Sequence, residues 1–193
     1  MIKKLIMAIA LILLLASPLM AFSCFGIEEG FTKEQCEEAG AKFLEISKDY
    51  GTYQVWQFEP SPINRSNYFD CYYVYIDRAF GVIKVIAYSN PQGDSDYDFD
   101  RVQLKFNQAR WDYGRKYGLK DEDIENQETF LTIGKEVGEE KIMLMNNFAD
   151  STFLEDTEAS KAGEYDPILA VIYIGKSFYD AMTIYDFNQQ AII

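Results

Sequence analysis

Apolar residues alternate with polar ones in several short segments of the chain, which is the pattern of half-buried β-strands. Tyr, Val and Ile dominate the two clearest segments, 69–76 and 82–88, and the few residues between them are short enough for a hairpin turn. Weaker segments of the same kind are 42–47, 53–58, 130–133, 141–145, 169–174 and 181–187. The last two are predicted to form a second hairpin.

Two segments carry the signals of helices. Thr32, followed three residues later by Gln35, is a capping box, and it predicts a short N-terminal helix that ends near Gly40. A longer helix that ends at Gly118 is indicated by apolar residues at spacings of three and four, which are Phe99, Val102, Phe106, Ala109, Tyr113 and Tyr117. The polar residues between them, such as Lys105 and Gln108, are expected on the other faces of this helix.

Together these elements predict an α+β fold, an antiparallel sheet of about six strands packed by one long central helix and a short N-terminal helix. The chain has 193 residues, 48% of them hydrophobic, which is enough for one domain with a substantial core. The polar stretches 121–128, 134–138 and 146–166 are predicted to be loops.

The N-terminus has the layout of a secretory signal peptide. Lys3 and Lys4 precede an unbroken run of Leu, Ile, Met and Ala, and small residues follow it. We therefore expect residues 1–23 to be a signal peptide and residues 24–193 to be a single extracytoplasmic domain. The alternative is an uncleaved membrane anchor, although a spanning helix needs about 20 apolar residues.

Two cleavage sites compete. Cleavage after Ala21 makes Phe22 the first residue, whereas cleavage after Ser23 exposes Cys24. A new N-terminal cysteine resembles the bacterial lipoprotein pattern, in which that cysteine carries acyl chains, so Cys24 is the lipidation candidate. Ala21 and Phe22 depart from the residues usual in that pattern.

The cysteine count is three, and an exported chain meets an oxidising compartment, so a disulfide is expected. If Cys24 is acylated, Cys36 and Cys71 are the remaining pair. If Cys24 is not acylated, a Cys24–Cys36 bond across a short loop competes. We favour the Cys36–Cys71 disulfide.

Charge excludes several classes of function. The chain has 31 acidic and 18 basic residues and a net charge of −13, so nucleic acid is not an expected partner. It has no His, which removes Ser-His and Cys-His catalysis and His metal ligands.

The alternating aspartates from Asp94 resemble the start of an EF-hand, but Phe99 and Lys105 stand where that loop needs Gly and Glu. No metal or cofactor is predicted.

The remaining chemistry favours a binding protein over an enzyme. Nothing in the sequence places two carboxylates across a cleft, and no Gly-rich phosphate loop is present. A secreted hydrolase that uses carboxylates is the first alternative, and a structural lipoprotein is the second.

Aromatic residues suggest how such a protein would bind. The chain has 14 Tyr, 14 Phe and 2 Trp, which is more than one sheet face can bury, and exposed aromatics favour contacts with partners. The candidates are Trp56, Trp111 and Tyr73. We expect a binding or interaction domain at the cell envelope, periplasmic, cell-surface or extracellular, whose partner is a protein or a small ligand. Contact with the membrane would come only through an N-terminal lipid or an uncleaved anchor.

The order of these elements resembles the PsbP/Mog1-like domains of small exported proteins and lipoproteins, over roughly residues 69–188. Three places carry the resemblance: the strand 82–88 with the helix 98–118 after it, the turn Val137-Gly138-Glu139-Glu140, and the closing hairpin 172–187. The resemblance implies an antiparallel sheet packed by helices, and it implies no catalytic residues.

Overall fold

The computed structural model describes residues 23–89, 99–120, 124–127, 130–137, 140–148, 156–157 and 167–190. The expected signal peptide up to residue 22 lies outside the described residues, and so do the aspartates from Asp94 to Asp98.

The elements follow one another as four strands and a helix, twice over, after a small N-terminal unit. In chain order they are β1 (Ser23–Cys24), β2 (Ile27–Glu28), α1 (Lys33–Glu38), β3 (Lys42–Asp49), β4 (Tyr53–Glu59), β5 (Cys71–Asp77), β6 (Gly81–Tyr88), α2 (Phe99–Tyr117), β7 (Ile124–Gln127), β8 (Phe130–Val137), β9 (Glu140–Phe148), β10 (Pro167–Ile174) and α3 (Ser177–Gln190).

Strands β3 to β10 form one antiparallel sheet in the order β3-β4-β5-β6-β10-β9-β8-β7. The predicted α+β class and antiparallel sheet are confirmed, but the sheet has eight strands where about six were expected. It is built from two four-stranded meanders, which join where β6 pairs with β10 and Val85 lies opposite Tyr173. Strands β1 and β2 form a separate hairpin.

Side chains along the central strands alternate between two buried clusters, one on each face of the sheet. We call face 1 the side of Val74, Val85 and Leu144, which α1, α2 and the β1–β2 hairpin cover. Face 2 is the opposite side, that of Ile86 and Ile172, against which α3 packs.

Helices α1 and α2 begin and end as the sequence predicts. Thr32 Oγ1 accepts from the Gln35 backbone N at 3.3 Å, and Gln35 Oε1 accepts from the Thr32 backbone N at 2.8 Å, which completes the capping box. Helix α2 runs for 19 residues, and Gly118, at φ +68°, adopts the left-handed conformation that ends it. Val102, Phe106 and Ala109 of its apolar stripe are fully buried against face 1.

The strand predicted over 181–187 is wrong, because this segment belongs to helix α3. The residues that pack on face 2 recur at helical spacing and are Phe178, Ala181, Met182 and Tyr185. The backbone N of Ser177, in the first turn, donates to Glu29 Oε1 at 3.0 Å. The segment 172–187 is therefore a strand and a helix, not the closing hairpin on which part of the family resemblance rested.

Three segments predicted as loops contribute strands. Strand β7 lies within 121–128, β8 continues to Val137, and β9 extends to Phe148. Gly134 pairs with Met143, and Asn146 lies between Leu131 and Leu169. Pairing with neighbouring strands satisfies the backbone groups of these polar residues, and their local sequence does not reveal that pairing.

None of the helices in the described part of the chain is long and apolar enough to span a membrane.

Candidate ligand-binding pocket

A cavity of about 670 Å³ opens on face 1, between the β1–β2 hairpin, the loop that joins β4 to β5, and helix α2. Small-molecule sites typically enclose about 300–1,000 Å³, so this cavity has the size of an organic ligand. Every element that forms it lies far from the others in sequence.

The hairpin wall of the pocket depends on an unusual backbone conformation. Phe25 and Gly26 form a two-residue turn in which both φ angles are positive, 53° and 81°. This geometry suits a tight hairpin, but it costs energy for a residue with a side chain. The ring of Phe25 makes edge-on contacts with the rings of Phe69, Tyr72 and Tyr173 at 6.1, 5.0 and 6.0 Å, and this packing offsets the cost.

The β4–β5 loop lies directly against this turn. A Cβ atom on Gly26 would fall 2.2 Å from Asn64 Nδ2, and the φ of +81° also favours glycine at this position. Asn64 Nδ2 also donates to Ser61 Oγ at 2.9 Å, and the backbone N of Tyr68 donates to Ser66 Oγ at 3.1 Å. These hydrogen bonds hold the amide and hydroxyl groups of the loop at the pocket.

The helical wall presents four polar residues at spacings of three and four, which are Lys105, Gln108, Asp112 and Lys116. The carboxylate of Asp112 accepts from Tyr68 Oη at 2.5 Å and from Arg115 Nη2 at 2.6 Å. These two hydrogen bonds lower the pKa of Asp112. Burial, together with the hydrogen bond to Asp112, raises the pKa of Tyr68 to about 12.

The floor of the pocket is formed in part by Tyr113 and Tyr173. Tyr173 Oη donates to Tyr117 Oη at 2.9 Å, and Tyr117 Oη donates to the carbonyl oxygen of Ser23 at 3.2 Å. Burial raises the pKa of Tyr113 and of Tyr173 well above the ordinary value. Their hydroxyls are therefore neutral near pH 7.

Charged side chains of both signs line the pocket. Lys105 and Lys116 line it, and Asp112 is the one carboxylate among the described lining residues. Asp112 is engaged by Tyr68 and Arg115. A ligand in the pocket would therefore meet groups of both charges on a molecule with a net charge of −13.

The predicted Cys36–Cys71 disulfide is not formed, and all three cysteines are free thiols. Cys36 is buried on face 1 with α1, whereas Cys71 begins β5 and packs among the residues of face 2. The sheet lies between the two side chains, so they cannot approach to bonding distance. Burial raises the pKa of the Cys36 thiol to about 12.

Cys24, the lipidation candidate, has only 1% of its surface exposed and belongs to the same buried cluster as Cys36. Burial raises its pKa well above the ordinary value, and the nearby positive charge of Lys116 opposes part of that increase.

The three candidate exposed aromatics are not brought together. Trp111 is 66% exposed on α2. Trp56 is half-buried, and its Nε1 donates to Gln54 Oε1 at 3.2 Å. Tyr73 is fully buried on face 2 and stacks on Tyr88, so its predicted exposure is wrong. Both faces of β5 are covered, which its sequence alone does not reveal.

Sequence reasoning missed the pocket, although part of its signal was visible. The spacing of Lys105, Gln108, Asp112 and Lys116 marks a polar stripe beside the apolar one on α2, and such a stripe is ordinarily solvated. The loop that covers it comes from residues about 40 positions earlier, and no local pattern joins the two.

In the described part of the chain, no three His, Cys, Asp or Glu residues are grouped to hold a metal.

Comparisons with protein-family models, with curated proteins and with solved structures give no match to this chain. Its function is therefore inferred from the chemistry of the pocket.

Proposed function

We propose that this protein is a non-enzymatic binding domain of the cell envelope, and that it binds a small polar ligand in the pocket on face 1. The observation that carries the proposal is a cavity of about 670 Å³ whose hydrogen-bonding groups are held in place by neighbouring residues. Amides and hydroxyls come from the β4–β5 loop, ammonium groups come from α2, and aromatic rings form the floor. This mixture is typical of sites that fix the orientation of a ligand.

The titratable groups of the pocket support binding over catalysis. A general acid or base works best with a pKa near the working pH. The pKa of Tyr68 is raised to about 12, those of Tyr113 and Tyr173 are also raised, and the pKa of Asp112 is lowered, so all four shifts lead away from neutrality. Hydrolysis of glycosides by the usual mechanism would need a second carboxylate beside Asp112.

We infer that α2 is the main packing element of face 1 as well as a wall of the pocket. Val102, Phe106 and Ala109 are fully buried against the sheet, while Lys105 and Lys116 line the cavity on the adjoining side of the same helix. A helix fixed in the core in this way keeps the backbone positions of its pocket-lining residues constant relative to the sheet.

Export with cleavage after Ala21 is the processing that this arrangement favours. The carbonyl oxygen of Ser23 accepts from Tyr117 Oη, and the thiol of Cys24 is buried, so acyl chains on that sulfur would have to displace core side chains. We expect the mature protein to begin at Phe22 and to be unacylated. Intact-mass measurement tests this, and an acyl increment on Cys24 would contradict it.

A thermal-shift screen of polar metabolites tests the pocket. A ligand present at a hundred times its Kd stabilises the folded state by about 2.7 kcal/mol, which raises the Tm measurably. Asn67 lines the pocket and is solvent-exposed, so Asn67→Trp should obstruct the pocket with a large ring and abolish the shift. Glu45→Trp, an exposed position on β3 outside the pocket, is the control and should keep it. A shift that survives Asn67→Trp would place the ligand elsewhere.

A further inference from the structure

The opposite face of the sheet carries a cluster of oxygen ligands that the proposed function does not use. We propose that this cluster binds ferric iron, and that its ligands are the phenol oxygens of Tyr50, Tyr53 and Tyr75 and the carboxylate of Asp156. The cluster lies on face 2, whereas the ligand pocket lies on face 1. The two sites are therefore independent of each other.

Three tyrosine rings are stacked where the β3–β4 hairpin meets β5. The Tyr50 ring stacks on Tyr53 with 4.6 Å between the ring centres, and Tyr53 stacks on Tyr75 at 6.1 Å. Tyr185 of α3 packs edge-on against Tyr50 and Tyr53 at 5.4 and 5.8 Å. This packing holds the rings in fixed positions, which is the condition for a preorganised set of ligands.

The hydroxyl groups of these rings converge on the carboxylate of Asp156. Tyr50 Oη donates to Asp156 Oδ1, and Ser47 Oγ donates to the carbonyl oxygen of Asp156 at 2.7 Å, which fixes this residue at the cluster. Burial is the main cause that raises the pKa of all three tyrosines, and the negative charge of Asp156 raises each pKa further, so this carboxylate lies near every hydroxyl of the set. Tyr50 and Asp156 are only half-buried, which leaves the cluster accessible from solvent.

The chemistry of these ligands selects a hard metal ion of high charge. All of them are oxygen atoms, but Asp156 is the single carboxylate, whereas calcium sites in proteins rely on carboxylates and carbonyl oxygens. A phenol in water keeps its proton up to about pH 10, so near pH 7 only a strongly acidic cation displaces that proton. Ferric iron is such a cation, and tyrosine oxygen is an established iron ligand.

Binding exchanges protons for iron without changing the charge of the site. Each tyrosine releases its hydroxyl proton to water as its oxygen bonds to the metal, so three protons leave as one Fe³⁺ enters. The iron stays ferric, and no oxidant or reductant is consumed. An uncompensated positive charge would be costly here, because the ammonium of Lys84 lies 4.5 Å from the centre of the Tyr75 ring.

Titration of the full chain with ferric nitrilotriacetate tests the site, because iron bound by phenolate absorbs visible light and free tyrosine does not. We expect a visible band that saturates at one iron per chain. Tyr50→Phe and Tyr75→Phe each keep the ring and remove one ligand, so each should weaken iron binding at least about tenfold. Tyr88→Phe is the matched control and should bind iron as the parent does, since Tyr88 is a buried tyrosine of the same face that stacks on Tyr73.

A further variant keeps the test decisive if a phenylalanine variant fails to fold. Asp156→Asn leaves every ring in place and should also weaken iron binding. The absence of a visible band in the parent would overturn the ferric site, and so would a band of equal strength in Tyr50→Phe, Tyr75→Phe and Tyr88→Phe. Calcium binding as tight as that of iron would overturn the choice of metal. Asn67→Trp, in the pocket of face 1, should leave the iron band unchanged, so failure of one site is distinguishable from failure of the other.

Discussion

At the scale of single residues, the three cysteines differ in their environments. Cys24 and Cys36 are buried on face 1, and the pKa of each thiol is raised by burial. Cys71, at the beginning of β5, is only half-buried. Since the thiolate is the reactive form, burial disfavours reaction at Cys24 and Cys36 through both access and ionisation, and the accessible thiol is that of Cys71.

A thiol reagent at pH 8 should therefore modify Cys71 first in the native protein. We expect Cys24 and Cys36 to react at least about a hundredfold more slowly, because burial blocks access to both and raises the pKa of both thiols, that of Cys36 to about 12, so that they stay protonated at that pH. Time-resolved mass spectrometry of the labelled protein measures this. Cys71→Ser is the control, which should leave the native protein unlabelled and two thiols available in denaturant. A fast-reacting thiol in that variant would contradict the burial of the other two.

The pocket residues mark the limit of what a local sequence pattern can reveal. Lys105 and Lys116 belong to a stripe that the helical spacing of α2 makes visible. The partner that turns this stripe into a pocket wall is the β4–β5 loop, whose Asn64 side chain lies close to Gly26 of the hairpin. That contact is tertiary, so only the three-dimensional structure discloses it.

At the scale of elements, α2 contributes residues both to the core and to the pocket. The burial of its core residues predicts how substitutions change the free energy of unfolding. Phe106 is fully buried on face 1, so Phe106→Ala should leave a cavity and cost about 3–5 kcal/mol of unfolding free energy. Gln108→Ala, on the exposed side of the helix, should stay within about 0.5 kcal/mol. Denaturant unfolding of the two variants measures the contrast. Similar stabilities would mean that the helix does not pack on the sheet.

Helix α3 shows why one element could not be predicted from its own sequence. Helices α1 and α2 carry local signals, a capping box at Thr32 and Gln35 and a stop at Gly118. The N-terminal partner of α3 is Glu29, whose side chain accepts from the backbone N of Ser177 across 148 positions of sequence. The local pattern of 181–187 is compatible with a strand or a helix, and this distant contact favours the helix.

Removing that contact should weaken the helix. We expect Glu29→Ala to cost about 0.5–2 kcal/mol, the usual range for the loss of a side chain that caps a helix. Glu29→Gln keeps an oxygen that can accept the hydrogen bond and should recover part of the loss. The neighbouring Glu28 is exposed, so Glu28→Ala is the matched control and should have little effect on the Tm. Equal losses in the two alanine variants would show that Glu29 has no special role.

At the scale of the whole molecule, buried tyrosines make stability depend on pH. Several tyrosines on both faces of the sheet have raised pKa values, and burial is the main cause for each of them. They include Tyr50, Tyr53, Tyr68, Tyr75, Tyr88, Tyr113 and Tyr173. An unfolded tyrosine loses its proton near pH 10, whereas the folded protein retains it to higher pH. The folded state then binds more protons than the unfolded state, so stability falls as pH rises.

We therefore expect tyrosine ionisation to leave the Tm unchanged below about pH 10 and to lower it steeply above that pH. Tyrosine ionisation, followed by absorbance at 295 nm, should be incomplete until the far-ultraviolet circular dichroism of the fold is lost. Complete ionisation near pH 10 in a protein that still has native circular dichroism would contradict the burial of these side chains. A guanidinium-unfolded sample supplies the reference titration.

The junction between β6 and β10 has a consequence for the order of folding events. Each meander can form from neighbouring residues, but the junction pairs residues that are 82 to 90 positions apart in sequence, which makes it a slow step. Every residue of β6 is buried in the finished sheet, so until β10 arrives this strand is an uncovered apolar edge of the kind that promotes aggregation. A nascent chain would pass through that vulnerable state until β10 was available. The pairing of β10 with β6 thus completes the sheet and covers the apolar edge at the same time.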